Sequence, residues 1–387
     1  MIRAGAGVST KPESGAAAAD AVAQARAGLG GAGVDLALVF LSPHHLPVGP
    51  LAAIAEVRDG LDPGCLVGCV SQGVIGGERE VEDGPGVAVW AASLPGGTVT
   101  PFRVGGEDDD EDEDELALPE LGEPSLVVLL VDPFSVRTDD VVAELDGAYP
   151  GVPVVGGIAT GGGRPGLQAL IVDGTLASSG AVGVALSGVP VQAVVSQGCA
   201  PLGPESVITS ADGNLILELA GRPAYERLRD VIAGLSPRER DLAARGLLAG
   251  IVIDENRPAY ERGDFLMRGI IGVDEESGAL AVGEDVRVGQ TIRFHARDAA
   301  SADEDLRLAL TQTLGPGERP AGALLFTCNG RGTRMFEGPD HDSRAVVSAL
   351  GSPAVSGFFC GGEIGPVGGR SFLHGFTATM AIFLDGG

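Results

Sequence analysis

Three times along the chain an apolar run is followed by a helical stretch, a second apolar run and a glycine-rich turn. The first set begins with LALVFL at 36–41, has a helix near 49–60, and continues CLVGCVSQGVIGG at 65–77. The second begins with LVVLLV at 126–131, has a helix near 138–148, and continues PVVGGIATGGG at 153–163. The third begins with ALLFT at 323–327, has a helix near 342–350, and continues AVSGFFCGGEIG at 354–365. Closing strands are expected near 86–92, 180–186 and 375–384. The middle runs align on Gly68, Gly156 and Gly357, and each has another glycine five positions on, at Gly73, Gly161 and Gly362. Glycine at matching offsets implies one shared backbone requirement, either positive φ or close approach of another group.

A strand–helix–strand crossover makes its two strands parallel, and tight turns add antiparallel neighbours. The expected fold is therefore α/β: two lobes with mixed sheets built from repeated strand–helix–strand–strand units. A four-layer α-β-β-α arrangement is compatible with this pattern and not required by it. From Val194 the text changes, so a domain boundary is expected near 188–204, giving domains 1–197 and 198–387.

The formal net charge of −27 argues against a nucleic-acid partner, since phosphate binding needs clustered cations. It equally disfavours an anionic membrane surface. Much of the excess lies in nine consecutive acids, Glu107 to Glu115, within a segment 105–123 expected to be a disordered surface insert. The stretch 174–204 has no charged residue, but it carries Pro190, Pro201 and Pro204, so two buried strands at 181–186 and 191–196 are expected rather than a membrane insertion. The first fifteen residues lack a continuous apolar segment, and the five cysteines suit a reduced, cytoplasmic protein better than a disulfide framework.

Two glycine patterns mimic a dinucleotide fingerprint. Gly28–Gly33 closes a helix instead of opening one, and the glycines at 161, 163 and 166 precede a strand. They are expected to be a helix C-cap and a loop, and no cofactor is expected. Thr10 and Glu13 have the spacing of a capping box before a helix near 14–29. Cys65 and Cys69 lie on a strand about 13 Å apart, too far to chelate one metal ion. Asp340-His341-Asp342 lacks a spaced partner cluster, Asp342 reads as a helix N-cap, and no metal site is expected.

Chemistry concentrates in 323–366. Cys328, Asn329 and Arg331 follow one expected strand; Phe358, Phe359, Cys360 and Glu363 belong to the next strand and its turn. Arg331 and Glu363 can grip a zwitterion, the guanidinium taking a carboxylate and the carboxylate an ammonium, or they can salt-bridge each other. Cys328 beside a cation is a candidate nucleophile, with His374 or His341 as base.

The segments GFF at 357–359, GEIGP at 362–366, CNGRG at 328–332, LMRG at 266–269 and FHARD at 294–298 resemble the FIST family (F-box and intracellular signal transduction). Gly68-Cys-Val-Ser-Gln-Gly73 and Glu78-Arg-Glu-Val-Glu82 extend the resemblance to the N-terminal half. It implies a sensory module that binds a small molecule, of the amino-acid kind, and acts through a signalling partner. The sequence before the first of these strands is too short for an F-box, so ubiquitin ligation does not carry over. A cysteine-dependent hydrolase or transferase using Cys328, and a protein-recruitment scaffold, are the alternatives.

Overall fold

The computed structural model describes residues 1–47, 49–105, 118–315 and 317–385. In chain order β1 (Arg3–Ser9) and α1 (Ser14–Leu29) come first. A first module follows: β2 (Leu36–Leu41), α2 (Leu51–Leu61), β3 (Cys65–Val70), the hairpin β4 (Val74–Gly76) and β5 (Arg79–Val81), and β6 (Val87–Ser93). After β7 (Thr98–Val104) a second module runs β8 (Leu126–Val131), α3 (Thr138–Ala148), β9 (Val154–Ile158), the hairpin β10 (Leu170–Val172) and β11 (Thr175–Ala177), and β12 (Ala181–Ser187). Then come β13 (Val191–Gln197), β14 (Cys199–Asp212), β15 (Leu215–Leu219), β16 (Arg222–Pro223), α4 (Ala224–Gly234), α5 (Pro237–Arg245), β17 (Leu247–Val252), β18 (Phe265–Asp274), β19 (Ala279–Val282), β20 (Thr291–Arg297) and α6 (Ala299–Thr313). The third module is β21 (Arg319–Cys328), α7 (His341–Leu350), β22 (Val355–Cys360), the hairpin β23 (Glu363–Val367) and β24 (Arg370–His374), and β25 (Thr377–Asp385). The fold is thus α/β, with these strands in four mixed or antiparallel sheets.

Two compact units emerge. The first comprises Met1–Val195, Leu306–Leu373 and Thr377–Gly387; the second comprises Ser196–Asp305 and His374–Phe376. The chain leaves the first unit after Val195, and β21 to β23 and β25 return to it.

In the first unit the three modules share one strand plan. Each makes a parallel pair, β2 with β3, β8 with β9, and β21 with β22. Each adds its closing strand antiparallel and then one strand from earlier in the chain, giving β1-β6-β2-β3, β7-β12-β8-β9 and β13-β25-β21-β22. The hairpins do not stay at home. The first sheet ends with β10-β11 from the second module, the second with β23-β24 from the third, and the third with β4-β5 from the first. The exchange is cyclic.

This plan explains the aligned glycines. Gly68, Gly156 and Gly357 sit opposite Val39, Leu129 and Leu325 on the neighbouring parallel strand. A Cβ at these three positions would lie 1.9, 1.9 and 1.7 Å from the facing carbonyl oxygen. Of the two requirements the offsets implied, all three positions meet close approach. The second set of glycines sits at the crossings between modules. Phe359 N–H donates to Gly73 O, Gly161 N–H to Val70 O, and Ile158 N–H to Gly362 O.

One apolar core collects side chains from all three sheets, among them Leu38, Phe40, Trp90, Val128, Leu130, Val184, Phe326, Phe358 and Phe383. On the opposite face of the first sheet lie α1 and α2. The second sheet packs its other face on α3, and the third on α7 with Leu306 and Leu310. In the second unit seven antiparallel strands run β14-β20-β17-β18-β19-β15-β16. An additional β14–β15 pairing closes six of them on themselves around a core that includes Leu228 and Val231 of α4.

Several expectations need correction. Strands β1 and β7 have no counterpart in the sequence reading. The N-cap of α1 is Glu13, whose carboxylate accepts from Gly15 and Ala16 N–H, so Thr10 forms no capping box. The glycine run after α1 does act as its C-cap, with Gly30 at φ 58°. The nine-acid run lies outside the described residues. Among the described residues no helix is long and apolar enough to cross a membrane.

Candidate functional site

The third module differs from the others at the C-terminal ends of its parallel pair. After β21 the chain turns sharply, Arg331 N–H donating to Cys328 O at 2.8 Å, and the Arg331 side chain is carried inward to 0% exposure. Its guanidinium donates from Nε and Nη2 to the two oxygens of Asp342 at 2.7 and 2.8 Å. Thr327 Oγ1 donates to the same carboxylate at 2.7 Å, and His341 Nδ1 lies 2.9 Å from it. His341 stacks on Phe336 at 3.5 Å, and the guanidinium sits over that ring at 5.3 Å. Burial alone pushes the Asp342 carboxyl up, but Arg331 more than reverses this and holds it well below the usual range.

Asp342 therefore does not cap α7. The N-cap is Asp340, in the left-handed region at φ 65°, and Asp342 enters the first turn with its carboxylate facing Arg331. Arg331 pairs with Asp342 and not with Glu363, an arrangement neither reading of the sequence contained. Its fork is taken, and Nη1 has no hydrogen-bond partner among the described residues.

Glu363 opens β23 and is also fully buried. Its Oε2 accepts from Thr377 N–H at 3.0 Å and from Thr377 Oγ1 at 2.8 Å. Its Oε1 has no such partner among the described residues. Burial pushes this carboxyl up to about 8, against smaller opposing effects of Thr377, Arg331 and Cys328. At neutral pH Glu363 is chiefly the neutral acid.

Cys328 and Cys360 are register partners on β21 and β22, and both are buried thiols outside any disulfide. Burial, with Glu363, Cys69 and Cys328 nearby, holds the Cys360 thiol well above its ordinary value, so it stays protonated. Its Sγ lies where a Cβ on Gly157 would come within 2.4 Å. Gly330 N–H donates to Cys328 Sγ at 3.4 Å. His374 is buried in the second unit, whereas Cys328 belongs to the first.

The remaining candidates separate. Phe358 enters the common core, with its ring 5.2 Å from Phe40 and 5.4 Å from Phe326. Phe359 and Asn329 line a cavity of about 40 Å³ together with Gln72, Gly73, Glu82 and Thr333. Asn329 Nδ2 donates to Thr160 Oγ1 at 3.3 Å, and Thr160 Oγ1 lies 3.1 Å from Ser71 Oγ. Residues of three modules thus meet beside the cavity.

Glu80, on the hairpin donated by the first module, was not foreseen. Its Oε1 accepts from Ser343 N–H at 2.8 Å, and Asp340 Oδ1 accepts from its own N–H at 2.8 Å. This reciprocal clamp ties β5 to the start of α7. Burial, reinforced by Asp342, pushes Glu80 up to about 7. Thr327, Thr377 and Asp342 were also missed as partners. The available signal was a polar residue at the end or start of an apolar run, where a buried hydroxyl or carboxylate must find a partner.

With this geometry in place, comparison with known proteins identifies the class: the chain belongs to the FIST family. The FIST N domain matches residues 35–222 and the FIST C domain residues 224–366. Such domains are associated with signal transduction and small-ligand sensing. Among individual relatives, the uncharacterized protein Rv0628c of Mycobacterium tuberculosis (strain H37Rv) is 43% identical over 400 residues, covering 99% of this chain and 100% of its own. The uncharacterized protein Mb0898c of Mycobacterium bovis is 42% identical over 402 residues, covering 99% of each chain.

Proposed function

We propose that this chain is a cytoplasmic sensory module that binds a small polar metabolite, of the amino-acid kind, and signals through a partner protein. The observation that carries the reading is the pair of unpartnered atoms, Arg331 Nη1 and Glu363 Oε1, on two fully buried side chains. A buried polar atom left unpaired costs about 1–3 kcal/mol. Two of them beside the C-terminal ends of a parallel strand pair mark the position where α/β sheets take ligands. A cavity of about 40 Å³ lies at Asn329, on the turn that carries Arg331, and at Phe359, on the strand before Glu363.

Thermal melting of the purified chain against amino acids, short carboxylic acids and small amines at millimolar concentration tests this. A ligand that binds only the native state raises the midpoint by mass action. An upward shift with at least one compound class is expected. A flat result across all of them would sink the reading.

A further inference from the structure

We propose that the open edge of β1 docks an extended segment of a protein partner, a run of apolar residues closing on a carboxylate, which adds to the first sheet as a further strand. Neither Arg331 nor Glu363 takes part.

Strand β1 ends the first sheet, pairing with β6. The direction of its backbone groups follows from the register. Ser42 N–H donates to Gly86 O, so Ala88, Trp90 and Ala92 of β6 turn their backbone groups toward β2. The alternate residues of β6 then bond to Arg3, Gly5, Gly7 and Ser9. Ile2, Ala4, Ala6 and Val8 are left facing outward. Side chains occupy both ends of this row. Ile2 N–H donates to Asp385 Oδ1 at 3.1 Å. Val8 N–H donates to Gln24 Oε1 at 3.2 Å, and Gln24 Nε2 donates to Val8 O at 2.9 Å. The carboxamide of Gln24 thus fills one rung as a neighbouring peptide unit would. Between these ends, the outward N–H and C=O of Ala4 and Ala6 have no hydrogen-bond partner among the described residues.

The row lies along two adjoining clefts of about 560 and 530 Å³, which share Ala6, Gln24 and Pro353. One bank is α1, and the other includes the Ser352–Ala354 turn before β22. A recessed edge accepts a single extended chain, held by main-chain hydrogen bonds. A second copy would have to press its own banks against these, and two chains of net charge −27 repel. Ala27, Ala321 and Ala354 make the wall of one cleft apolar, which suits apolar side chains. The other cleft holds Lys11 and Arg79 with Asp20 and Glu78. Asp20 already accepts from Ser9 Oγ at 2.6 Å and pairs with Lys11 at 3.8 Å, whereas Arg79 has no ion-pair partner among the described residues. With Arg3 in the first of these clefts, cations outnumber carboxylates along the edge of a strongly acidic chain. A carboxylate at the Lys11 and Arg79 end complements them. Gln24 is exposed, so it can swing away and yield the Val8 rung to the incoming segment.

The test follows fluorescence polarisation of a fluorescein-labelled hexapeptide, alternating alanine and valine and closing on two glutamates, with the full chain. Saturable binding is expected. N-methylating one alternate set of peptide nitrogens should abolish it, and methylating the other set should not. Gln24→Ala frees the Val8 rung and should tighten binding about fivefold. Ala6→Pro removes an outward donor and leaves the β6 ladder whole, so binding should be lost with the circular dichroism unchanged. Lys11→Glu with Arg79→Glu should weaken binding at least tenfold at low salt. Because Gln24 is exposed, its variant keeps the test decisive should Ala6→Pro disturb the fold. Equal binding of the two methylated peptides would overturn strand addition. Unchanged affinity in Gln24→Ala and in the charge-reversed variant would place the peptide elsewhere and overturn the site. A dimer of the free chain that Ala6→Pro dissolves would give the edge to a second copy instead. No binding of the probe to wild type or to Gln24→Ala would remove the docking site altogether.

Discussion

Glu363 shows how far a single buried group can be argued. Its native carboxyl value of about 8 lies above the ordinary 4.5 that it regains on unfolding. The folded chain therefore holds a proton that the unfolded chain releases between those values. The associated stability is fully present below about pH 4.5, falls as pH rises through 8, and then levels off. Glu80, pushed up to about 7, adds a slope of the same sign. Glu363→Gln should remove the larger part. Denaturant melts at pH 5 and pH 9 are expected to show wild type losing on the order of 3 kcal/mol more than the variant across that range. Equal losses in both proteins would show that Glu363 is ionised in the native state. Arg331 and Glu363 stand out in the sequence because each sits in a glycine-rich turn after an apolar run. Asp342 was misread because an aspartate at the start of a helix has cap chemistry, and only the inward turn of Arg331 redirects it.

At the level of elements, the strand and helix order of all three modules was readable because it is written locally, in apolar runs, helical stretches and glycine turns. The edge strands were not. In β1, RAGAGVS carries small residues that suit close packing against α1, and in β7, TVTPFRV contains a proline; neither looks like a buried strand. The hairpin exchange was also invisible, since a hairpin's sequence specifies its own turn and not the distant edge that receives it. The aligned glycines test the shared plan. Gly357→Ala puts a methyl 1.7 Å from Leu325 O, a backbone atom that moves only with its strand. A loss of about 3 kcal/mol or more is expected, comparable to severe overpacking. Gly351→Ala, where no atom lies within 4 Å, separates this from the cost of left-handed backbone, since its φ is 64°. Equal losses at both sites would show that the strands can part to admit a methyl group.

For the whole molecule, the sequence expectation was two consecutive domains, 1–197 and 198–387, whereas the first compact unit also takes in Leu306–Leu373 and Thr377–Gly387. What it did not reveal is that the third module returns to complete the first unit's sheets. Cut at that point, fragment 1–197 lacks the β23-β24 edge of its second sheet, and fragment 198–387 lacks the β4-β5 edge of its third. Fragment 1–197 alone is expected to be largely unfolded or aggregated, and in fragment 198–387 the strands of the third module are expected to lack fixed structure while the second unit keeps its own core. Co-expressed, they are expected to co-purify as one folded complex, read by affinity capture of one fragment and circular dichroism of the product. Two independently folded, non-associating fragments would contradict the cyclic exchange.

That exchange also sets a schedule for synthesis. The hairpin β4-β5 leaves the ribosome early, yet the strand it completes comes far later: Ser356 Oγ donates to Ile75 O across 281 positions. At ordinary elongation rates the wait is roughly 15–60 s. During that time a short hairpin presents an unpaired edge, the kind of surface that recruits other chains. The N-terminal half therefore cannot finish folding while it is being made. A cell producing this protein has to shelter an incomplete sheet until nearly the last strand has appeared.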